Sequence, residues 1–371
     1  MRHPVPFDAR ALTEPADRTT VRHFVKERKA QGQAPSSLSA KAAIALIIGI
    51  VVLFLFGSVF LTLLGGFLSA SMHAPSAAPL FVILLLVVLG AVAGVAGYFA
   101  VARHNERWYR LHHFAAANAM TYVPRVQAPG LPGMIFTQGH DRQARDLVRG
   151  FSPRFVEFAN YRYSTGSGKN ETTHRWGYVA VKLDVPLPHI VLDALSNNGL
   201  FGSSNLPLAF TKDQRLSLEG DFDRHFALYC PAGYEQDALY LFTPDIMARL
   251  IDTAAALDVE IVDDWLFLYA RRDFTTLDPA TWAWLFSVVG ALLTKLGQWS
   301  RWRDERLRLE HAPQQADAAG TALPFAVPTA TLTPPPGVAP PGRRLRRGRT
   351  WVFVLPIAFA IIWFAAQFVL R

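Results

Sequence analysis

Three stretches of this chain are apolar without interruption, and between the second and the third the pattern changes to short alternations. From Ala42 to Leu68 no residue is ionisable, and 16 of the positions between Ile44 and Leu64 are Ile, Leu, Val or Phe. Leu80 to Ala102 is equally free of charge, and Thr350 to Leu370 forms the third run. A helix needs about 20 apolar residues to cross a ~30 Å hydrocarbon core, so the pattern predicts a membrane protein with three transmembrane helices. The link between the first two runs, Ser69 to Pro79, carries no Lys, Arg, Asp or Glu.

The region between the second and third runs predicts a folded domain. Arg103 to Ala119 reads as a helical continuation, followed by loop punctuation at Pro124, Pro129, Gly130, Pro132 and Gly133. Phe155 to Tyr163 and Arg175 to Asp184 alternate and are rich in Val, Tyr, Phe and Trp. With the Ser/Thr/Gly-rich tip Ser164 to Thr173 they predict a hairpin. His189 to Leu195 and Arg215 to Leu218 read as further short strands. Thr243 and Pro244 open a helix whose buried stripe is Ile246, Met247, Leu250, Ile251, Ala254 and Leu257. Val259 to Val262 and Trp265 to Ala270 read as two strands across an Asp263-Asp264 turn.

Thr281 to Trp299 is apolar but sided. Leu285, Val288, Val289, Leu292, Leu296 and Trp299 fall on one stripe, with Asp278 as N-cap and Pro279 in the first turn. It predicts an amphipathic helix that either packs on the domain or lies at a bilayer surface. Strands and helices do not alternate regularly, which favours an α+β fold with an antiparallel sheet. The organisation expected is an N-terminal cytoplasmic tail over 1–41, a transmembrane helical hairpin over 42–102 and a cytoplasmic α+β domain over 103–311. A Pro-rich linker with a basic end follows over 312–349, and a C-terminal transmembrane helix over 350–371.

The net charge of +8 points towards a nucleic-acid binder until its placement is read. Residues 1–41 hold eight Lys/Arg against four acids, whereas 103–320 hold 23 basic and 25 acidic residues. A nucleic-acid partner requires the charge on the folded domain, so no nucleic acid is expected. The excess lies beside the apolar runs instead. Arg103, Arg107 and Arg110 follow the second run, and Arg343, Arg344, Arg346, Arg347 and Arg349 precede the third. Basic flanks mark the cytoplasmic side of a span. The expected location is a cell membrane crossed several times, with N-terminus and domain inside and C-terminus outside. The lipid bilayer is then one partner. Gly90, Gly94 and Gly97 give the second run a small face for helix packing, within the hairpin or between copies in a homo-oligomer.

Candidate chemistry is sparse. Gly166 to Thr172 (GSGKNET) superficially matches a phosphate-binding loop, but Tyr163 stands where the first Gly is required and Asn170 where the Ser/Thr is. It reads as a hairpin tip. Glu219, Asp221, Asp223, His225, Glu235 and Asp237 form the densest acidic cluster, and Asp221, Asp223 and His225 are its candidate metal ligands. His112-His113 and His140-Asp141 are weaker candidates. The single cysteine, Cys230, excludes a disulfide framework and a Cys-based zinc site, and reads as a buried apolar residue. No nucleophile elbow or zinc-protease motif is present, so no catalytic residue and no cofactor is assigned.

Three blocks carry a resemblance: Phe222-Asp223-Arg224-His225-Phe226 with Tyr229, Asp237 to Leu250 (DALYLFTPDIMARL), and Trp265-Leu266-Phe267-Leu268-Tyr269. In these, Leu218 to Tyr269 resembles the bacterial membrane proteins of domain-of-unknown-function family 3137. The resemblance implies a bacterial membrane location and lends no catalytic residue. Three readings stay open: a non-enzymatic domain that binds a protein partner or small ligand, a membrane enzyme built on the 219–237 acids, and an accessory subunit of a transporter complex.

Overall fold

The computed structural model describes residues 5–33, 57, 65–66, 78–198, 204–218, 221–235, 238–239, 242–254 and 256–310. The described helices are α1 (Arg10–Thr13), α2 (Arg18–Ala30), α3 (Ala78–Ala117), α4 (Pro244–Ala254) and α5 (Pro279–Glu310). The strands are β1 (Thr121–Gln127), β2 (His140–Gly150), β3 (Val156–Thr165), β4 (Thr172–Ala194), β5 (Arg215–Leu216), β6 (Phe226–Tyr229) and β7 (Asp258–Ala270). The chain forms two compact units: Met1–Thr13 with Phe114–Arg371, and Glu14–His113.

The first unit is an antiparallel sheet with helices. Its strands run in the order β1-β2-β3-β4-β6-β5, and β7 also pairs with β4. The hairpin expected over 155–184 is β3–β4, with its tip at the GSGKNET segment. Two other expectations need correction. His189 to Leu195 is not a separate strand but the end of β4, and Val259 to Ala270 is one strand with no turn in it. Pro186 and Pro188 lack a ladder donor and so read as a break. The structure absorbs them as register shifts instead: Lys182 faces Trp265, then Leu187 faces Asp263, then Ile190 faces Ile261. Asp263 takes a left-handed φ of 52° at this irregularity.

Each face of the sheet buries a different layer. On one side α5 packs through Trp282, Leu285, Phe286, Val288 and Val289, all buried. Phe158 stacks on Phe286 at 5.1 Å and meets Trp282 edge-on at 5.6 Å. The amphipathic helix therefore packs on the domain, with Leu293 rather than Leu292 in its buried stripe. Asp278 caps it as expected, accepting from the amides of Ala280 and Thr281 at 3.2 and 2.9 Å. On the other side a 3-10 turn, Met134–Thr137, drives Phe136 between Tyr161 and Tyr178, each 4.9 Å away, and against Phe267. Cys230 is buried, as read. The N-terminal segment belongs to this unit: Asn118 exchanges hydrogen bonds with the backbone of Asp8, and Phe7 packs on Phe286.

The second unit packs α2 on α3. Asp17 caps α2 by accepting from the amides of Thr19 and Thr20, and Val21, Phe24 and Val25 form its buried stripe. Phe24 meets Trp108, Tyr109 and His112 edge-on at 5.4, 5.4 and 5.0 Å. Burial first, then the charge of Arg28 and then His113, pushes His112 down to about 4. The unfolded chain therefore binds the proton more tightly, with an ordinary value near 6.5. The α2–α3 packing keeps its full stability above ~6.5 and loses it as pH falls towards about 4. A ring-proton NMR titration should place the His112 midpoint near the lower figure. A midpoint above 6 would remove this pH dependence.

The three-span expectation is corrected. Among the described residues no helix is long and apolar enough to cross a membrane. With it goes the multi-pass cell-membrane placement, N-terminus and domain inside and C-terminus outside. The runs 42–68 and 350–370 lie outside the described residues apart from Gly57, Gly65 and Gly66, as do the linker and the cluster Arg343, Arg344, Arg346, Arg347 and Arg349. The second run falls on α3. Along α3 the residues from Gly94 to Ala102 are apolar. From there Arg103, His104, Asn105, Glu106 and Arg107 make the helix polar.

Candidate functional site

The expected metal ligands do not assemble. Asp221 is exposed, and its carbonyl accepts from the Arg224 amide in a 3-10 turn. Asp223 is committed locally: its carboxylate accepts from the Ser217 hydroxyl and, at 3.1 Å, from the Leu218 amide. His225 contributes its carbonyl to the amide of Leu195. Glu235 accepts from the Gly233 amide, while Glu219 and Asp237 lie outside the described residues. The acids and histidine that do approach one another among the described residues are His140, Asp141 and Glu171, with ligand atoms within 4.8 Å. All three are exposed, and the His140 ring is already held by the Gly166 carbonyl at 3.0 Å and Asp141 at 3.2 Å.

Of the other sequence candidates, Arg110 bridges to Glu106 at 2.8 Å and donates to the Glu14 carbonyl at 2.7 Å. Arg103 lines a groove of about 210 Å³ between α2 and α3 with Val21, Arg22, Tyr98, Phe99 and Ala102. Arg107 lies on the same helix. Gly90 and Gly97 are half-buried, and a Cβ built at Gly94 would meet nothing within 4 Å.

The buried carboxylates are structural ties that the sequence reading missed. Glu260 on β7 accepts from the Met134 amide at 2.8 Å, the Tyr269 hydroxyl at 2.7 Å and, on its other oxygen, His189 at 3.1 Å. One side chain thus joins β7, β4 and the 3-10 turn. The close approach requires Gly133, where a Cβ would lie 2.1 Å from the Tyr269 hydroxyl. Glu157 on β3 accepts from Arg149 and from the Tyr178 hydroxyl, tying β2, β3 and β4. Burial, then the adjacent carboxylate, holds both tyrosines well above their ordinary range. Their hydroxyls stay protonated and donate. Asp258 accepts from the Ala194 amide at 2.9 Å. These groups are spent on the core.

What remains on the surface is a row of arginines. Arg125 on β1 stands directly opposite Arg145 on β2, and Arg162 on β3 directly opposite Arg175 on β4. Arg145 faces Asn160, so Arg162 is its diagonal neighbour. Arg162 is flanked by the core residues Tyr161 and Tyr163, which places the row on the face shared with Asn160 and Phe158. There Asn160 accepts from the amides of Phe274 and Thr275 at 2.7 and 3.1 Å. Arg175 is exposed and the other three are half-buried. Burial and the neighbouring arginines hold the guanidinium groups of Arg145 and Arg162 below the usual arginine range.

Among the described residues none of Arg145, Arg162 and Arg175 forms an ion pair. Arg145 donates to Gln143 at 2.6 Å. Asp146 accepts from the Tyr122 hydroxyl at 2.6 Å and Asp141 approaches His140 at 3.2 Å, and their charges also act on Arg145 and Arg162. Half of this row could have been found from the hairpin alone, since any register centred on its tip pairs Arg162 with Arg175.

No family model matches the chain, and no curated protein does. A comparison with solved structures finds the crystal structure of the mycobacterial trehalose monomycolate transport factor A, TtfA. It is 12% identical, with a TM-score of 0.33, over 47% of this chain and 85% of that one. A similarity this low carries no argument about what this chain does.

Proposed function

We propose that the sheet unit is a non-enzymatic binding module that presents its arginine row to an anionic partner or small ligand. Arg162 directly opposite Arg175, with Arg145 as the diagonal neighbour of Arg162 on the same sheet face, carries this reading. Like charges directly opposite destabilise a sheet, so the row works against the fold that bears it. A multivalent anion reverses that sign. Of the readings the sequence leaves open, this is the one with a surface behind it. The resemblance to family 3137 adds no activity to it.

The test is charge-matched. Arg145→Gln with Arg162→Gln should weaken binding to soluble dextran sulfate by about tenfold or more, as loss of two charge-assisted contacts does. The control is Arg215→Gln with Arg224→Gln, two exposed arginines of the same unit, on β5 and in the turn before β6. Equal weakening in both variants would reduce the effect to net charge and reject the module.

A further inference from the structure

We infer that the groove between α2 and α3 is a ligand site for a single-chain amphiphile, an apolar chain that ends in an anionic head. Two independent observations meet there. The first is a clustered apolar surface. Of the seven large apolar side chains exposed among the described residues, four lie within seven positions of α3: Val95, Tyr98, Phe99 and Val101. Val95, Tyr98 and Phe99 stand at i, i+3 and i+4, on one face of the helix. Scattered singly such residues need no explanation, but gathered on one face they mark a binding surface. Tyr98, Phe99 and Val101 also line the groove.

The second observation is charge. Arg18, Arg22 and Arg103 line the same groove against a single acid, Glu106. Glu106 is bridged to Arg110 at 2.8 Å, and Asp17, beside Arg18, gives its carboxylate to the amides of Thr19 and Thr20. Arg22 donates to the Tyr98 hydroxyl at 3.2 Å and so ties α2 to α3. Arg18 and Arg103 are exposed, and among the described residues neither forms an ion pair.

Apolar wall and cationic rim together select the ligand class. A hydrocarbon chain covers the Phe99 and Val101 surface, and an arginine fork takes a carboxylate head bidentately. A purely polar anion would leave the wall in water. At about 210 Å³ the groove is smaller than the ~300–1,000 Å³ that drug-sized ligands fill, which matches one unbranched chain rather than two. The groove lies within the unit Glu14–His113 and shares no residue with the arginine row.

Isothermal titration of the full chain with hexanoate, octanoate and decanoate, each below its aggregation concentration, tests the site. Affinity should rise about two- to fourfold per added methylene, the slope of apolar burial. Decanoate should bind about tenfold more tightly than decyltrimethylammonium, which has the same chain length and the opposite charge. Arg18→Gln with Arg103→Gln should erase that preference without weakening the cation. Phe99→Ser should weaken both probes about fivefold and keep their ratio, because Phe99 meets the chain and not the head.

Equal affinity for the two head charges, or no rise with chain length, overturns the assignment. So does decanoate binding that survives both variants. Binding to phosphatidylglycerol vesicles by a protein that ignores decanoate overturns it as well, since the occupant is then a lipid surface and not one molecule. If a variant does not fold, the chain-length series and the head-charge comparison on the wild type still decide.

Discussion

Replacing Glu260 with Ala should destabilise the sheet unit by about 3–5 kcal/mol, the range for removing one partner from a buried charged network. Urea denaturation should register this as a midpoint lower by roughly 1–2 M at an m value near 2–3 kcal/mol/M. The size follows from what is left behind. The Met134 amide, the Tyr269 hydroxyl and His189 all lose their acceptor at once, in a place that water does not reach. Each stranded buried group costs about 1–3 kcal/mol, and a small cavity adds to it. Tyr269→Phe removes one donor and leaves the carboxylate two others, so it should cost less. The double variant Glu260→Ala with Tyr269→Phe should be less destabilised than the two losses added together, because the pair shares one interaction. A Glu260→Ala loss below 1 kcal/mol, or strict additivity, would show that the tie is incidental to the fold.

The same glutamate shows where the sequence stops being informative. Glu157 and Glu260 each sit between apolar strand residues, in Val-Glu-Phe and Val-Glu-Ile, and an acid so placed is a visible anomaly. What the pattern does not contain is the partner, because Arg149 and Met134 come from other elements. The β3–β4 hairpin and the Asp278 cap were legible for the opposite reason: their determinants are local, within a dozen residues. β1 and β2 were invisible. Pro124 interrupts the Tyr122, Val123 and Val126 of β1, while β2 is dominated by Arg, Gln and Asp and has Asp146 at a left-handed φ of 51°. The arginine row was lost with them, since it exists only once four strands are in register. The acidic stretch 219–237 failed as a site because density along a chain is not convergence in space: Asp223 turned its carboxylate onto its own loop.

The largest effect outside that network should come from Trp282→Ala. Trp282 is fully buried at the start of α5, 4.5 Å from the Phe114 ring and 5.6 Å from Phe158, with its indole N–H donating to the Thr276 carbonyl at 2.9 Å. Truncating a core tryptophan costs about 3–5 kcal/mol, from lost transfer free energy and the cavity left by incomplete relaxation. Sequence periodicity allowed α5 two beds, the domain or a bilayer surface, and these predict different outcomes. A helix held by the sheet loses its anchor: amide exchange over 280–293 should accelerate more than exchange in β3 and β7, and urea should unfold the unit earlier. A helix held elsewhere would lose little, under ~1 kcal/mol, because a surface substitution away from packing contacts usually stays near that limit. Trp282→Phe sharpens the choice. It keeps an aromatic ring against Phe114 and Phe158 but not the bond to Thr276, so it should recover more than half of the loss. If Phe rescues nothing, the hydrogen bond and not the aromatic packing fixes the helix to the sheet.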